Sequence, residues 1–160
     1  MKKEKLVLKC SQEEFYNAVI QDFKNQYTSI KEKELADEKI VPGFSFTKKL
    51  PMKRNQTKLN VAKYRVLECL YPQKFVMEYL SQTYHKVISA EIKEYDNEHV
   101  EVLFGSFDEK LKEGIKPTRH FGEDVIVSAK LKTKMSMKSM LKNYRKIQAE
   151  EDNKNDINEG

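Results

Sequence analysis

The sequence predicts an α+β domain in which a curved antiparallel β-sheet wraps around a long C-terminal α-helix. Three observations carry this expectation. Between residues 75 and 104, successive segments put apolar residues on alternate positions with charged ones between them, the pattern of a half-buried antiparallel sheet. From residue 126 the apolar period changes from two to between three and four, which is helical. Near the start, Ser11-Gln12-Glu13-Glu14 has the spacing of a capping box: the Ser11 hydroxyl accepts from the third helical amide and Glu14 reaches back.

Taken in order, residues 3–10 alternate loosely and read as a first strand. The capped helix follows, with Phe15, Val19, Phe23, Tyr27 and Ile30 as its apolar stripe, and runs to about residue 30. The charged segment KEKELADEK after it fits either helix or loop. Pro42-Gly43 punctuates, and the alternation of Phe44-Ser45-Phe46-Thr47 begins a strand. Residues 51–58 read as a polar, basic hairpin loop. Leu59 to Tyr71 is a further strand whose register is open, since both alternating sets mix apolar and charged residues. Pro72-Gln73 makes a turn. Phe75, Met77 and Tyr79 then share a face, with Glu78 on the solvated one. Ile88, Ala90 and Ile92 share the next face. Tyr95-Asp96-Asn97-Glu98 has turn chemistry, and Val100, Val102 and Phe104 complete the meander. Residues 108–124, with Gly114, Pro117 and Gly122, read as an irregular connection. Asp124 is placed to cap a helix whose stripe is Ile126, Ala129, Thr133, Met137, Met140, Leu141, Tyr144 and Ile147. One domain over residues 1–149 is expected, followed by an acidic, disordered tail over 150–160.

Composition bounds the function. The chain has 160 residues, enough for one core, and 8 Tyr with 8 Phe are too many aromatics for a disordered chain. Cys10 and Cys69 stand far apart without CxxC spacing, so neither a zinc site nor a disulfide framework is indicated. The opening MKKEKLVLKC has only three consecutive apolar residues before Lys9, too short for a secretory h-region, and no stretch reaches the length of a membrane span. A cytoplasmic location is expected. The histidines His85, His99 and His120 lack metal-ligand or catalytic spacing, and there is no phosphate-binding glycine loop. No catalytic residue, metal ligand or cofactor is assigned.

The element order, together with Glu14-Phe15-Tyr16, the segment Gly43 to Leu50, the Pro72-Gln73-Lys74 turn and Lys138-Ser139-Met140-Leu141-Lys142, resembles the START-like (Bet v 1-like, SRPBCC) superfamily. Within it the chain is similar to the bacterial family called domain of unknown function 3284, over about residues 6–148. The resemblance implies a helix-grip fold. It implies no activity, because the family has none to carry over.

A sheet curled around a helix can leave an apolar cavity between them. Its candidate lining is Phe75, Met77, Tyr79, Ile88, Ile92, Val102 and Phe104 from the sheet and Met137, Met140, Leu141 and Tyr144 from the helix. A filled core accounts for the same residues. The leading functional reading is a non-catalytic module that binds a small hydrophobic or amphipathic ligand there. The second concerns charge. Of the net +5, residues 150–160 carry −4, which leaves +9 on the rest, and residues 125–149 hold seven basic residues and no acid. Lys130, Lys132, Lys134, Lys138, Lys142, Arg145 and Lys146 form a basic helix face that is either plainly solvated or meets a protein partner or a phosphate-bearing one, nucleic acid or an anionic membrane. A folded-back acidic tail would compete for it. A third reading, an enzyme of the cyclase or hydrolase type found on related folds, needs polar groups converging inside the cavity, with Tyr79, Tyr144 and His85 the groups to inspect. Both a monomer and a homodimer are compatible with the sequence, a dimer being one way to cover a sheet edge.

Overall fold

A computed structural model describes residues 2–51, 60–111 and 126–158. The first strand, β1 (Lys2–Leu8), leads through a bend into α1 (Gln12–Lys31). Ser11 caps α1 as its spacing predicts, its hydroxyl accepting from the Glu14 amide at 3.1 Å. At the other end Glu32 adopts the left-handed conformation (φ 57°) and donates its N–H to the Thr28 carbonyl, closing the last turn. The charged segment that follows is therefore not a continuation of α1. It folds back through a short 3-10 turn at Asp37–Lys39, pinned by the buried Leu35 and Ile40.

The meander comprises β2 (Ser45–Lys49), β3 (Val61–Leu70), β4 (Lys74–Leu80), β5 (Tyr84–Glu94) and β6 (Val100–Lys110). With β1 they form one curved, wholly antiparallel sheet in the order β1-β6-β5-β4-β3-β2. The strand β6 continues through Lys110, so residues 108–110 belong to the sheet and not to the irregular connection expected there. The reason is pairing: Asp108, Glu109 and Lys110 sit opposite Lys86, His85 and Tyr84 of β5, and backbone bonding holds polar residues in a strand that their composition would not mark. Residues 112–125, including the expected Asp124 cap, and residues 52–59, which hold all but the first residue of the hairpin loop expected at 51–58, lie outside the described residues.

The register of β3 has a physical cause for its ambiguity. A β-bulge lies between Val66 and Glu68. Before it, Ala62, Tyr64 and Val66 face the concave side; after it, Cys69 does, opposite Phe75. One extra residue shifts the alternation by one, so no single period-two pattern fits the strand.

The helix α2 (Ile126–Asn158) completes the fold. It runs past Ala149, where a disordered tail was expected. Extending an existing helix adds a hydrogen bond for each residue fixed, whereas starting one is costly, so even this polar segment follows the helix. Residues 150–154 are exposed on it.

The core lies on the concave face. Phe15, Tyr16, Ala18 and Phe23 of α1 pack there with Leu6, Leu8, Phe46, Val66, Phe75, Ala90, Ile92, Val100 and Val102 of the sheet and Met137 and Leu141 of α2. Phe23 is its aromatic centre, with the rings of Phe44, Phe46 and Phe75 at 6.2, 5.7 and 5.7 Å, all tilted steeply to it. Such edge-to-face pairs add about 0.5–1.5 kcal/mol each to simple burial.

Candidate functional site

Side chains on an antiparallel sheet line up in rows across paired strands, and the rows of the concave face grade in character. One row runs Leu6, Val102, Ile92, all buried. The next runs Glu4, Phe104, Ala90, Phe75, Cys69. Beyond it lie Ser106, Ile88, Met77 and Val66, and beyond those Asp108, Lys86, Tyr79, Tyr64 and Phe46. The face thus passes from wholly apolar to mixed to polar and aromatic along the strands.

Burial follows the same gradient. Of the expected sheet lining, Phe75, Ile92 and Val102 are buried, while Phe104, Met77, Ile88 and Tyr79 are only half-buried. The helix lining divides likewise: Met137 and Leu141 are buried, and Met140 and Tyr144 half-buried. The described part of α2 packs chiefly on α1 and β1. Its apolar residues therefore close one end of the concave face and, among the described residues, leave the Met77–Ile88–Phe104 end less covered.

Polar groups enter at that end. Glu4 alternates with the buried Leu6 and Leu8 and so belongs to the concave side of β1; its Oε2 is enclosed with no hydrogen-bond partner among the described residues. Tyr64 stacks on Phe46 with ring centroids 4.8 Å apart and meets Tyr79 edge-on at 5.1 Å. Burial, and secondarily Tyr79, raises the Tyr64 hydroxyl pKa above its ordinary value, so Tyr64 presents a neutral hydroxyl at neutral pH. Nothing in the sequence marked Glu4: its place beside Phe104 depends on pairing β1 with β6, the two strands farthest apart in the chain.

His85 does not join them. It shares the convex face with Glu78, its Nε2 2.8 Å from Glu78 Oε2, and Glu78 also pairs with Arg65 at 2.9 Å. The expected polar trio of Tyr79, Tyr144 and His85 is therefore split between two faces. His85 stands opposite Leu80, one position out of phase with Tyr79.

The cysteines are free thiols. Cys10 is buried, and burial pushes its pKa up to about 11, with the nearby Glu14 carboxylate adding to the rise. Cys69 lies 2.7 Å from the Tyr16 hydroxyl and donates weakly to the Ile40 carbonyl. A thiol held protonated is a poor nucleophile. Among the described residues, no group of three or more His, Cys, Asp or Glu is placed to hold a metal ion, and no helix is long and apolar enough to cross a membrane.

Of the basic face, Lys138, Lys142 and Arg145 converge with Lys9 on a groove of about 400 Å³ whose floor is Leu8 and Leu141. Lys134 and Lys146 lie on the same helix outside that lining. Lys130 and Lys132 fall in the helix, but their side chains lie outside the described residues.

Comparison with known proteins agrees with this architecture. The family described as a domain of unknown function (DUF3284) matches residues 1–121; the match ends before α2, so Lys138–Lys142 lies outside it. Among solved structures, a conserved protein from Geobacillus kaustophilus is similar at a TM-score of 0.55 and 14% identity, covering 90% of this chain and 94% of its own. The Bet v 1-like protein Ara h 8.0201 is similar at 0.55 and 10%, covering 91% and 97%. A protein of unknown function from Staphylococcus aureus is similar at 0.50 and 16%, covering 93% and 97%. At these identities the likeness is one of fold: the helix-grip, START-like arrangement. No curated protein matches the chain.

Proposed function

We propose that this chain, which belongs to the domain of unknown function (DUF3284) family, is a binding module that holds a small amphipathic molecule between the concave face of its sheet and α2. The observation that carries the reading is the half-burial of Met77, Ile88 and Phe104 in the middle of a face whose neighbours Phe75, Ile92 and Val102 are closed over. Apolar side chains left partly open on a concave surface gain about 25 cal/mol for each Å² of apolar area a ligand removes from water. Methionine adapts its shape to what it meets.

The gradient along the strands orients the ligand. Its apolar part lies over Met77, Ile88 and Phe104, and its polar end reaches toward Tyr64, Tyr79 and Asp108. Glu4 Oε2, without a partner among the described residues, is an acceptor within the same face, so a ligand carrying a hydroxyl or amine donor gains a bond there. The reading is non-catalytic: the Cys10 thiol is held protonated, and His85 faces away.

Native mass spectrometry of protein purified from cells tests it. A bound apolar or amphipathic mass is expected, and it is expected to be lost from Ile88→Trp, which fills the open row. A protein that carries no adduct, and whose Met77, Ile88 and Phe104 NMR signals stay unmoved by a panel of amphipathic molecules, refutes the proposal.

A further inference from the structure

We propose that the groove between the β1–α1 link and α2 is a binding site for a phosphate group carried by a small molecule or a lipid headgroup. The site borders the concave-face core at Leu8 and Leu141, but Met77, Ile88 and Phe104 are not in its lining, and it does not depend on the ligand proposed there. Its lining brings Lys9, from the bend after β1, together with Lys138, Lys142 and Arg145 from α2, over a floor of Leu8 and Leu141. Residues more than 120 positions apart thus supply four cations to one concavity of about 400 Å³.

Arg145 is already held in place. Its Nη2 donates to the Lys9 carbonyl at 3.1 Å and to Glu14 Oε1 at 2.6 Å, and this pair of hydrogen bonds ties the mouth of the groove to the first turn of α1. Glu14 offsets one positive charge. Lys9, Lys138 and Lys142 have no ion-pair partner among the described residues, so three ammonium groups are left to face an anion. Their stems line the walls while the heads stay in water, the usual disposition of long cationic side chains. A compact dianion suits such a cluster. A polymer of phosphates would instead draw equally on Lys134 and Lys146, which lie off the groove.

The acidic stretch Glu150 to Asp156 does not occupy this site. It is part of α2, and with a rise of about 1.5 Å per residue Glu150 stands roughly 12 Å beyond Lys142 along the axis. A continuous helix cannot turn back on its own side.

The experiment titrates the full chain with inorganic phosphate and with glycerol 3-phosphate by NMR at low salt. In parallel it measures co-sedimentation with phosphatidylcholine vesicles with and without phosphatidic acid. Binding in the first arm alone identifies a soluble ligand; binding confined to phosphatidic acid vesicles identifies a headgroup; either supports the site. Lys138→Gln with Lys142→Gln is expected to weaken binding roughly tenfold or more, the scale of a lost charge-assisted hydrogen bond. Lys146→Gln is expected to change it less than about threefold. These lysines are exposed, and circular dichroism checks that the variants fold. The proposal is overturned by no binding in either arm, by equal losses from Lys146→Gln, or by binding only to a duplex oligonucleotide, which would mark a diffuse basic surface.

Discussion

Whether the concave face is a ligand surface or a filled core can be read from the stability of two phenylalanine truncations. Phe23 and Phe104 are the same residue type on the same side of the sheet, one 1% exposed at the centre of an aromatic cluster and the other half-buried. Phe23→Ala removes a ring enclosed by Phe44, Phe46 and Phe75, leaving a void its neighbours can only partly fill; the expected cost is about 3–5 kcal/mol. Phe104→Ala removes a ring that is already partly exposed. It forfeits part of the transfer energy and little cavity energy, for an expected cost of about 1–1.5 kcal/mol. In a domain of this size each kcal/mol moves the melting temperature by roughly 2–4 °C, so the two variants separate by several degrees. Urea denaturation followed by circular dichroism measures both, with equal m-values as the check that only stability has changed. If Phe104→Ala costs as much as Phe23→Ala, Phe104 is enclosed, the open row does not exist, and the argument for a ligand there fails. If Phe23→Ala costs less than about 1.5 kcal/mol, the placement of α1 on the sheet is itself wrong.

Two further outcomes follow from single groups. The folded-state pKa of Cys10 is raised from 9.0 to about 11, so above pH 9 the unfolded chain loses a proton that the folded chain keeps. Stability is therefore expected to fall between about pH 9 and 11, by up to the order of 2–3 kcal/mol from this residue, and Cys10→Ala is expected to flatten that slope; an unchanged slope contradicts the assignment. Ser11→Ala removes the acceptor for the Glu14 amide and is expected to cost about 1 kcal/mol. Amide exchange should quicken in the first turn of α1, and uniform quickening throughout the helix would show that the cap is not what holds that end.

The chain itself determined the elements whose causes are local. The capping of α1 by Ser11, the turn at Pro72-Gln73 and the shared face of Phe75, Met77 and Tyr79 all follow from spacings within a few residues. So does the apolar stripe of α2 from Thr133 to Ile147, its earlier members Ile126 and Ala129 having side chains outside the described residues, because helical and strand periods place side chains without reference to the rest of the molecule. Where a local pattern is broken by pairing, the sequence was silent or misleading. The bulge after Val66 reverses the phase of β3, the partners on β5 carry β6 through the polar Asp108–Lys110, and His85 falls on the convex face beside Glu78.

Both candidate sites belong to the tertiary structure. That Met77, Ile88 and Phe104 stay partly open depends on α2 resting against α1 and β1. That Lys9 and Arg145 share a groove depends on bringing together positions 136 residues apart. The sequence determined a sheet with one apolar face and a helix with one apolar and one basic face. Which part of the helix covers which part of the sheet was settled by packing, because the energy of burying a stripe is non-directional and is decided only when the surfaces meet.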